Sequence, residues 1–257
     1  MRVKCLLFAA IIFLVVAVCL SMTRTKTSPA ITGHRTVVVE LFTSEGCSSC
    51  PPADALLGHL RQDFLAKNIQ VIPLGFHVDY WNSLGWKDRF SSAEFTHRQE
   101  QYEQSLNVDG PYTPQMVVDG AAEFVGSSAD HAQQAIEKEA SQPEPIAVTL
   151  SPVTGGQLKV EAKANNSFAA ANIFLAITED DLTTNVGSGE NGGRTLHHAA
   201  VVRELRQLGQ LQAGSFAATV PIKLESGWKR KDLRAVVFVQ ESPGGKIQGA
   251  ASVGFSD

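Results

Sequence analysis

Past residue 19 the 257-residue chain carries cysteine at two positions only, Cys47 and Cys50. A single close pair excludes a disulfide-scaffold protein, which relies on many bridges to replace a core. It also leaves any zinc site to the scattered histidines His59, His77, His97, His197 and His198, none at regular ligand spacing. As neighbours on a strand, His197 and His198 point to opposite faces and make a poor chelate, so no metal is expected. Nor is there an excess of positive charge. Arg2, Lys4, Arg24 and Lys26 fall in the first 26 residues with no acid among them, which leaves 18 bases against 26 acids in the remainder. An acidic body offers no electrostatic footprint for nucleic acid. The glycines of Asn185–Arg194 are not followed by Gly-Lys-Ser/Thr, so they form a flexible loop and not a phosphate loop. No cofactor is called for.

The N-terminus has a basic start, Met1-Arg-Val-Lys, then a continuous apolar run from Cys5 to Leu20 with no polar face. That pattern predicts export, to the periplasm or the extracellular side. The run is long for a signal core and slightly short of the ~20 residues of a full span. No clean A-x-A site follows, and Val16-Ala-Val-Cys19 only loosely resembles a lipoprotein box. Residues 1–22 are therefore a cleaved signal, an uncleaved anchor or a lipoprotein leader, and 23–35 a tether.

What the body does have is organised around Val37–Leu57, VVVELFTSEGCSSCPPADALL. β-Branched residues predict a strand. A short loop delivers Cys47-Ser-Ser-Cys50, and the apolar spacing of Ala53, Leu56, Leu57, Leu60 and Phe64 predicts a helix that Pro51 and Pro52 open. A helix start supplies free N–H groups and the positive end of the dipole, both of which favour a thiolate. The spacing puts both sulfurs on one turn, so one thiol can resolve a mixed disulfide formed by the other. The exposed nucleophile is expected to be Cys47, with Cys50 the buried resolving thiol. An inert structural disulfide and a site kept for binding alone remain open alternatives.

Downstream, Ile69–His77 reads as a second strand and Ser91-x-x-Glu94 as a capping box opening a second helix. Asp119-Gly120 between Met116–Val118 and Ala122–Val125 is the strongest hairpin signal in the chain, and Ser127/Ser128 opens a third helix. The predicted order is β-α-β-α-β-β-α.

That order, with VELFTSEGCSSCPPADALL, GFHVDYWNSLGWKDRFS and YTPQMVVDG, resembles an exported thioredoxin-like family catalogued as domain of unknown function 1223. The resemblance implies a thioredoxin-like fold and a redox site, but no substrate. It also implies that Pro114 is a cis proline lying against the cysteines, with Thr113 offering its backbone to an incoming peptide. Glu40 lies one residue further from the first cysteine than the buried acid of thioredoxins, so it is either a proton-shuttling group or a strand-end ion pair. At the end of the second strand, His77 either faces the cysteines or bonds within its own loop. Trp81 and Trp86 either pack that loop or line a substrate groove.

After Gln142-Pro-Glu-Pro145, a stiff linker, about seven short strands with glycine-rich turns follow. The expected architecture is an α/β thioredoxin-like domain over residues 36–141, followed by an all-β, immunoglobulin-like sandwich over 146–257. The expected function is thiol–disulfide exchange with protein or small-molecule thiols outside the cytoplasm, possible only if both sulfurs lie near Pro114 and within reach of solvent. The alternatives are a non-catalytic exported binding module with an idle disulfide, and a membrane-tethered assembly factor.

Overall fold

The structure, a computed structural model, describes residues 35–151, 155–165, 170–241 and 243–255. The leader and nearly all of the tether lie outside these residues. Among the described residues no helix is long and apolar enough to cross a membrane.

The first half follows the predicted order. β1 (Val37–Thr43) is buried along its whole length. Its alternation sends Val37, Val39 and Leu41 to one face, against Leu57, Leu60 and Phe64 of helix α1 (Pro51–Leu65), and Val38 and Phe42 to the other. β2 (Val71–His77) pairs parallel with β1, and helix α2 (Ala93–Leu106) sends Phe95 and Tyr102 into the core on the second face. The α2 cap is Ser92 rather than Ser91: its hydroxyl accepts the Glu94 N–H at 3.2 Å. β3 (Gln115–Val118) runs antiparallel to β1, and β4 (Ala122–Val125) returns beside it, ahead of helix α3 (Ala129–Ala140). Both turn residues take positive φ, Asp119 at 48° and Gly120 at 61°, as a tight primed hairpin needs.

The second half corrects the expected fold class. β7 (Asn172–Glu179), β10 (Val201–Gln210), β12 (Leu233–Gln240) and β13 (Ile247–Gly254) form no separate immunoglobulin-like sandwich. They extend the sheet of the first half into one mixed, eight-stranded sheet of order β13-β12-β7-β10-β2-β1-β3-β4. The fold is therefore mixed α/β with few helices, not a thioredoxin-like domain plus a sandwich. The physical reason lies at the outer edge of β2. That strand is fully buried, so its edge N–H and C=O groups need partners inside the protein. β10 supplies them, through Val201 opposite Gly75 and a 2.8 Å bond from Gly75 N–H to Ala200 C=O.

The remaining strands make two small sheets. β5 (Ile146–Leu150), β6 (Gln157–Ala164) and β11 (Ser215–Pro221) pack Ile146, Leu158 and Val160 against Ile173, Leu175 and Val237 of the large sheet. β8 (Leu182–Asn185) and β9 (Thr195–His198) form a hairpin that holds the glycine-rich loop between them.

Candidate functional site

Beyond Thr43, the chain leaves β1 and winds through Ser44–Ser49 into α1. Cys47 N–H donates to Ser44 C=O at 3.1 Å and Cys50 N–H to Cys47 C=O at 3.3 Å, so the loop coils tightly before the helix. Cys50 is the N-cap; its carbonyl accepts from Ala53 and Asp54, while Pro51 and Pro52 have no N–H to leave unpaired. Cys47 and Cys50 form a disulfide. Both cysteines are 0% exposed, and only the intervening Ser48 and Ser49 reach solvent. Access is the point at which the expectation of an exposed Cys47 is corrected.

The cover comes from the β8–β9 loop. Asn191, itself 0% exposed, donates its side-chain amide to Glu45 C=O and Cys47 C=O, each at 2.9 Å. Arg194 holds the Asn191 side-chain oxygen at 2.7 Å, and Glu190 accepts the exposed Ser48 N–H at 3.1 Å. Trp86 lies against Gly187 and Gly189: a Cβ on Gly187 would come within 3.3 Å of its ring, and one on Gly189 within 3.2 Å of its Cβ.

Beneath this cover lies a group of buried titratable side chains: Glu45, Asp54, His77, Asp88 and His198. His77 Nδ1 is 2.7 Å from Asp88 Oδ2, which also accepts the Glu45 N–H at 2.8 Å. His198 Nε2 approaches Glu45 Oε1 at 3.4 Å, close enough for attraction but not aligned as a hydrogen bond. The two imidazole rings and Phe90 stand edge-on to one another, with His77 and His198 centroids 5.1 Å apart. Burial raises the Asp54 pKa, and attraction to His77 and His198 only partly offsets it. For His77, burial disfavours the cation, but Asp88, Asp54 and Glu45 outweigh that and its pKa stands above the ordinary value. For Asp88 and Glu45 burial acts upward, yet the histidines and hydrogen bonds win and hold both carboxylates below their usual range. Perturbed groups gathered next to a reactive pair are a mark of functional sites, although structural networks do the same. Among the described residues no group of three or more His, Cys, Asp or Glu is placed to hold a metal.

A family model described as "Protein of unknown function (DUF1223)" matches residues 38–240. The chain belongs to that family. No curated relative matches it. Among solved structures it is similar to a crystal structure of a protein from Agrobacterium tumefaciens, at 28% identity and TM-score 0.70, over 86% of this chain and 95% of that one. The shared span crosses both halves, in keeping with one continuous fold. Two further structures have TM-scores too low to carry an argument. One is a domain of the outer membrane lipoprotein Omp28 from Porphyromonas gingivalis, at 0.25 and 14% identity over 44% of this chain and 96% of that one. The other is OgpA from Akkermansia muciniphila, at 0.24 and 20% identity over 44% of this chain and 29% of that one.

Within this DUF1223 fold the residues singled out from sequence separate into two groups. Pro114 is buried, its peptide with Thr113 is cis, and it lies near the first turn of α1: a Cβ on Gly126 would sit 3.3 Å from both Pro114 and Ala53. Trp81 donates its indole N–H to Thr113 Oγ1 at 2.9 Å and packs on Gly46, where a Cβ would be 3.1 Å away. Trp86 donates its own to Glu45 Oε2 at 2.7 Å. Both tryptophans thus brace the cysteine loop, with their N–H groups already engaged. His77 belongs to the buried group under the loop.

Glu40 does not. Strand alternation sends it to the face of β1 opposite α1, where Arg98 grips it at 2.6 and 2.9 Å and Tyr102 donates to it at 2.6 Å. It is one half of a buried ion pair, not a proton shuttle for the cysteines.

Sequence reasoning missed Asp54, Asp88 and Asn191 and set His198 aside. Only Asp54 left a signal: an acid four residues after Cys50, among Ala53, Leu57 and Leu60 on the buried side of the helix.

Proposed function

We propose that this DUF1223 chain is an exported thiol–disulfide exchange protein acting through Cys47 and Cys50. The observation that carries the reading is a disulfide at a helix N-terminus directly above a buried group of titratable side chains. A partner thiolate attacks Cys47 Sγ, the Cys47–Cys50 bond breaks, and a mixed disulfide forms with Cys50 as leaving thiol. Attack by a second partner thiolate on the partner sulfur leaves an oxidised partner and a dithiol protein, two electrons having passed to the protein. In the opposite direction the dithiol reduces a partner disulfide, and Cys50 closes the bridge. Partners are protein or small-molecule thiols and disulfides.

Export is supported by the basic start and apolar run of residues 1–20, and a disulfide persists in the oxidising compartments that such a leader serves. Membrane tethering, if the leader is retained, is part of the same reading.

With both cysteines covered, exchange requires the loop around Asn191 to open. That loop is held by polar contacts and glycines with little apolar burial, the character of segments that open locally at low cost. Trapping tests the reading. A Cys50→Ala variant leaves Cys47 without a resolving thiol, and its thiolate is expected to attack oxidised glutathione under native conditions, accumulating the mixed disulfide and releasing one reduced glutathione. No adduct without denaturant contradicts exchange.

One observation favours a second reading, a non-catalytic binding module with an idle disulfide: neither cysteine is exposed. That module would give no adduct in the same trap.

A further inference from the structure

Once the disulfide opens, Cys50 becomes a thiolate at the N-cap of α1, a position fully buried when the β8–β9 loop is closed. A buried acid of the protein is placed to supply its proton. Asp54 follows it by four residues on the same helix, a spacing that places the two side chains on one face, with Cβ atoms roughly 5–6 Å apart. Asp54 is itself buried, and it faces Thr43 from β1, His77 from β2, Asp88 from the following loop and His198 from β9.

The surroundings are unusual for a structural carboxyl. Both ring nitrogens of His198, Glu45 Oε1 and the hydroxyls of Thr43 and Thr184 are buried without a hydrogen-bond partner among the described residues. Interior polar atoms are nearly always paired, and exceptions call for an explanation. Thr43 and His198 face Asp54, while Thr184 and His198 face Glu45, so the hydrogen bonds of this group are free to change as a proton moves. Glu40, a further buried acid, is held by Arg98 and Tyr102 on the far face of the sheet.

We propose that Asp54 is the general acid and base for Cys50, with His198 as the positioning residue that sets its charge. The inference rests on the exchange reading above. When a partner thiolate attacks Cys47, Cys50 Sγ departs with the bonding electron pair and takes the proton of the Asp54 carboxyl. In the opposite direction the Asp54 carboxylate removes the Cys50 proton as Cys50 attacks Cys47 Sγ of a mixed disulfide, and the partner leaves as a thiolate. Burial favours the neutral carboxyl of Asp54, which suits it to donate. His198 is supplied by the second half of the chain, 148 residues after Cys50 in sequence. That gives the single continuous sheet a chemical consequence.

The test follows reduction of the oxidised full-length protein by dithiothreitol across pH, each rate being divided by the concentration of dithiothreitol thiolate. In the wild type the normalised rate is expected to fall as pH rises, when Asp54 loses its proton. Asp54→Asn is expected to be slower by on the order of 10²-fold at the acidic end and to lose the fall altogether. Asp54→Glu restores it. His198→Gln removes an interaction that favours the Asp54 carboxylate, so the fall moves to higher pH; this arm stands even if Asp54→Asn fails to fold. An Asp54→Asn profile parallel to wild type, or a His198→Gln profile that does not move, overturns the assignment while leaving exchange intact. If the folded wild type is not reduced at all, the exchange reading fails and the relay fails with it.

Discussion

Asn191 and Cys47 are 144 residues apart in the chain, yet the side-chain amide of one donates to the backbone carbonyl of the other at 2.9 Å. The same amide also reaches Glu45 C=O, so one buried side chain ties the β8–β9 loop across the mouth of the cysteine turn. Access to the disulfide is thereby made a property of the second half of the chain.

Asn191→Ala is expected to loosen that cover. Removing two buried hydrogen bonds at about 0.5–1.5 kcal/mol each favours the open loop by roughly tenfold. Reduction of the disulfide by dithiothreitol, followed by thiol labelling in the native state, should quicken by that factor. An unchanged rate would mean that the loop does not control access.

The Glu40–Arg98 pair predicts the opposite dissociation of effects. Arg98→Met leaves the Glu40 carboxylate buried and unpaired, which costs about 3–5 kcal/mol of stability. Urea unfolding should record that loss, while native reduction of the disulfide keeps its rate. A large change in disulfide reactivity without loss of stability would return Glu40 to the redox site.

At Gly120 the backbone sits at φ 61° in the β3–β4 turn, and a Cβ there would run into the Gly245 carbonyl oxygen. Gly120→Ala should therefore destabilise the fold by more than the ~1 kcal/mol of unfavourable φ alone, as measured by thermal unfolding. A neutral effect would show that the hairpin and the β12–β13 connection can separate without cost.

His77 gives a pH dependence of definite sign. Its folded-state pKa is raised, so above its ordinary value near 6.5 the folded protein binds more protons than the unfolded chain. Stability from this group is full below that value and is lost as pH rises through the folded-state pKa. Asp88→Asn removes the carboxylate that does most to raise it. Urea unfolding between pH 6 and 8 should show a declining stability in the wild type and a flatter line in the variant. Parallel slopes would mean that His77 is neutral in the fold.

Much of the first half was legible because its signals are local. The cysteine turn, the prolines opening α1, and Asp119-Gly120 each fix their own backbone within a few residues. Alternation in the second half likewise marked its strands, but a period of two says that a segment is a strand and not which strand lies beside it. The junction of β10 with β2 rests on Val201 meeting Gly75, a contact with no local trace. His198 was set aside and Asn191 missed for the same reason. One sat in a strand with no apparent neighbour, and the other in a glycine-rich loop whose anchoring contacts lie about 145 residues away. Trp86 and Glu45 were each visible, but not the 2.7 Å bond between them that braces the turn.

The central claim is that Cys47 and Cys50 exchange with thiols while the protein stays folded. The most direct measurement is equilibration of the purified protein with glutathione buffers of graded redox ratio, alkylation of free thiols, and mass determination of the oxidised fraction, with circular dichroism recorded alongside. A reversible oxidised-to-reduced transition with the fold intact is the predicted result. A disulfide that stays closed at every ratio, and opens only when the protein is unfolded, would contradict it.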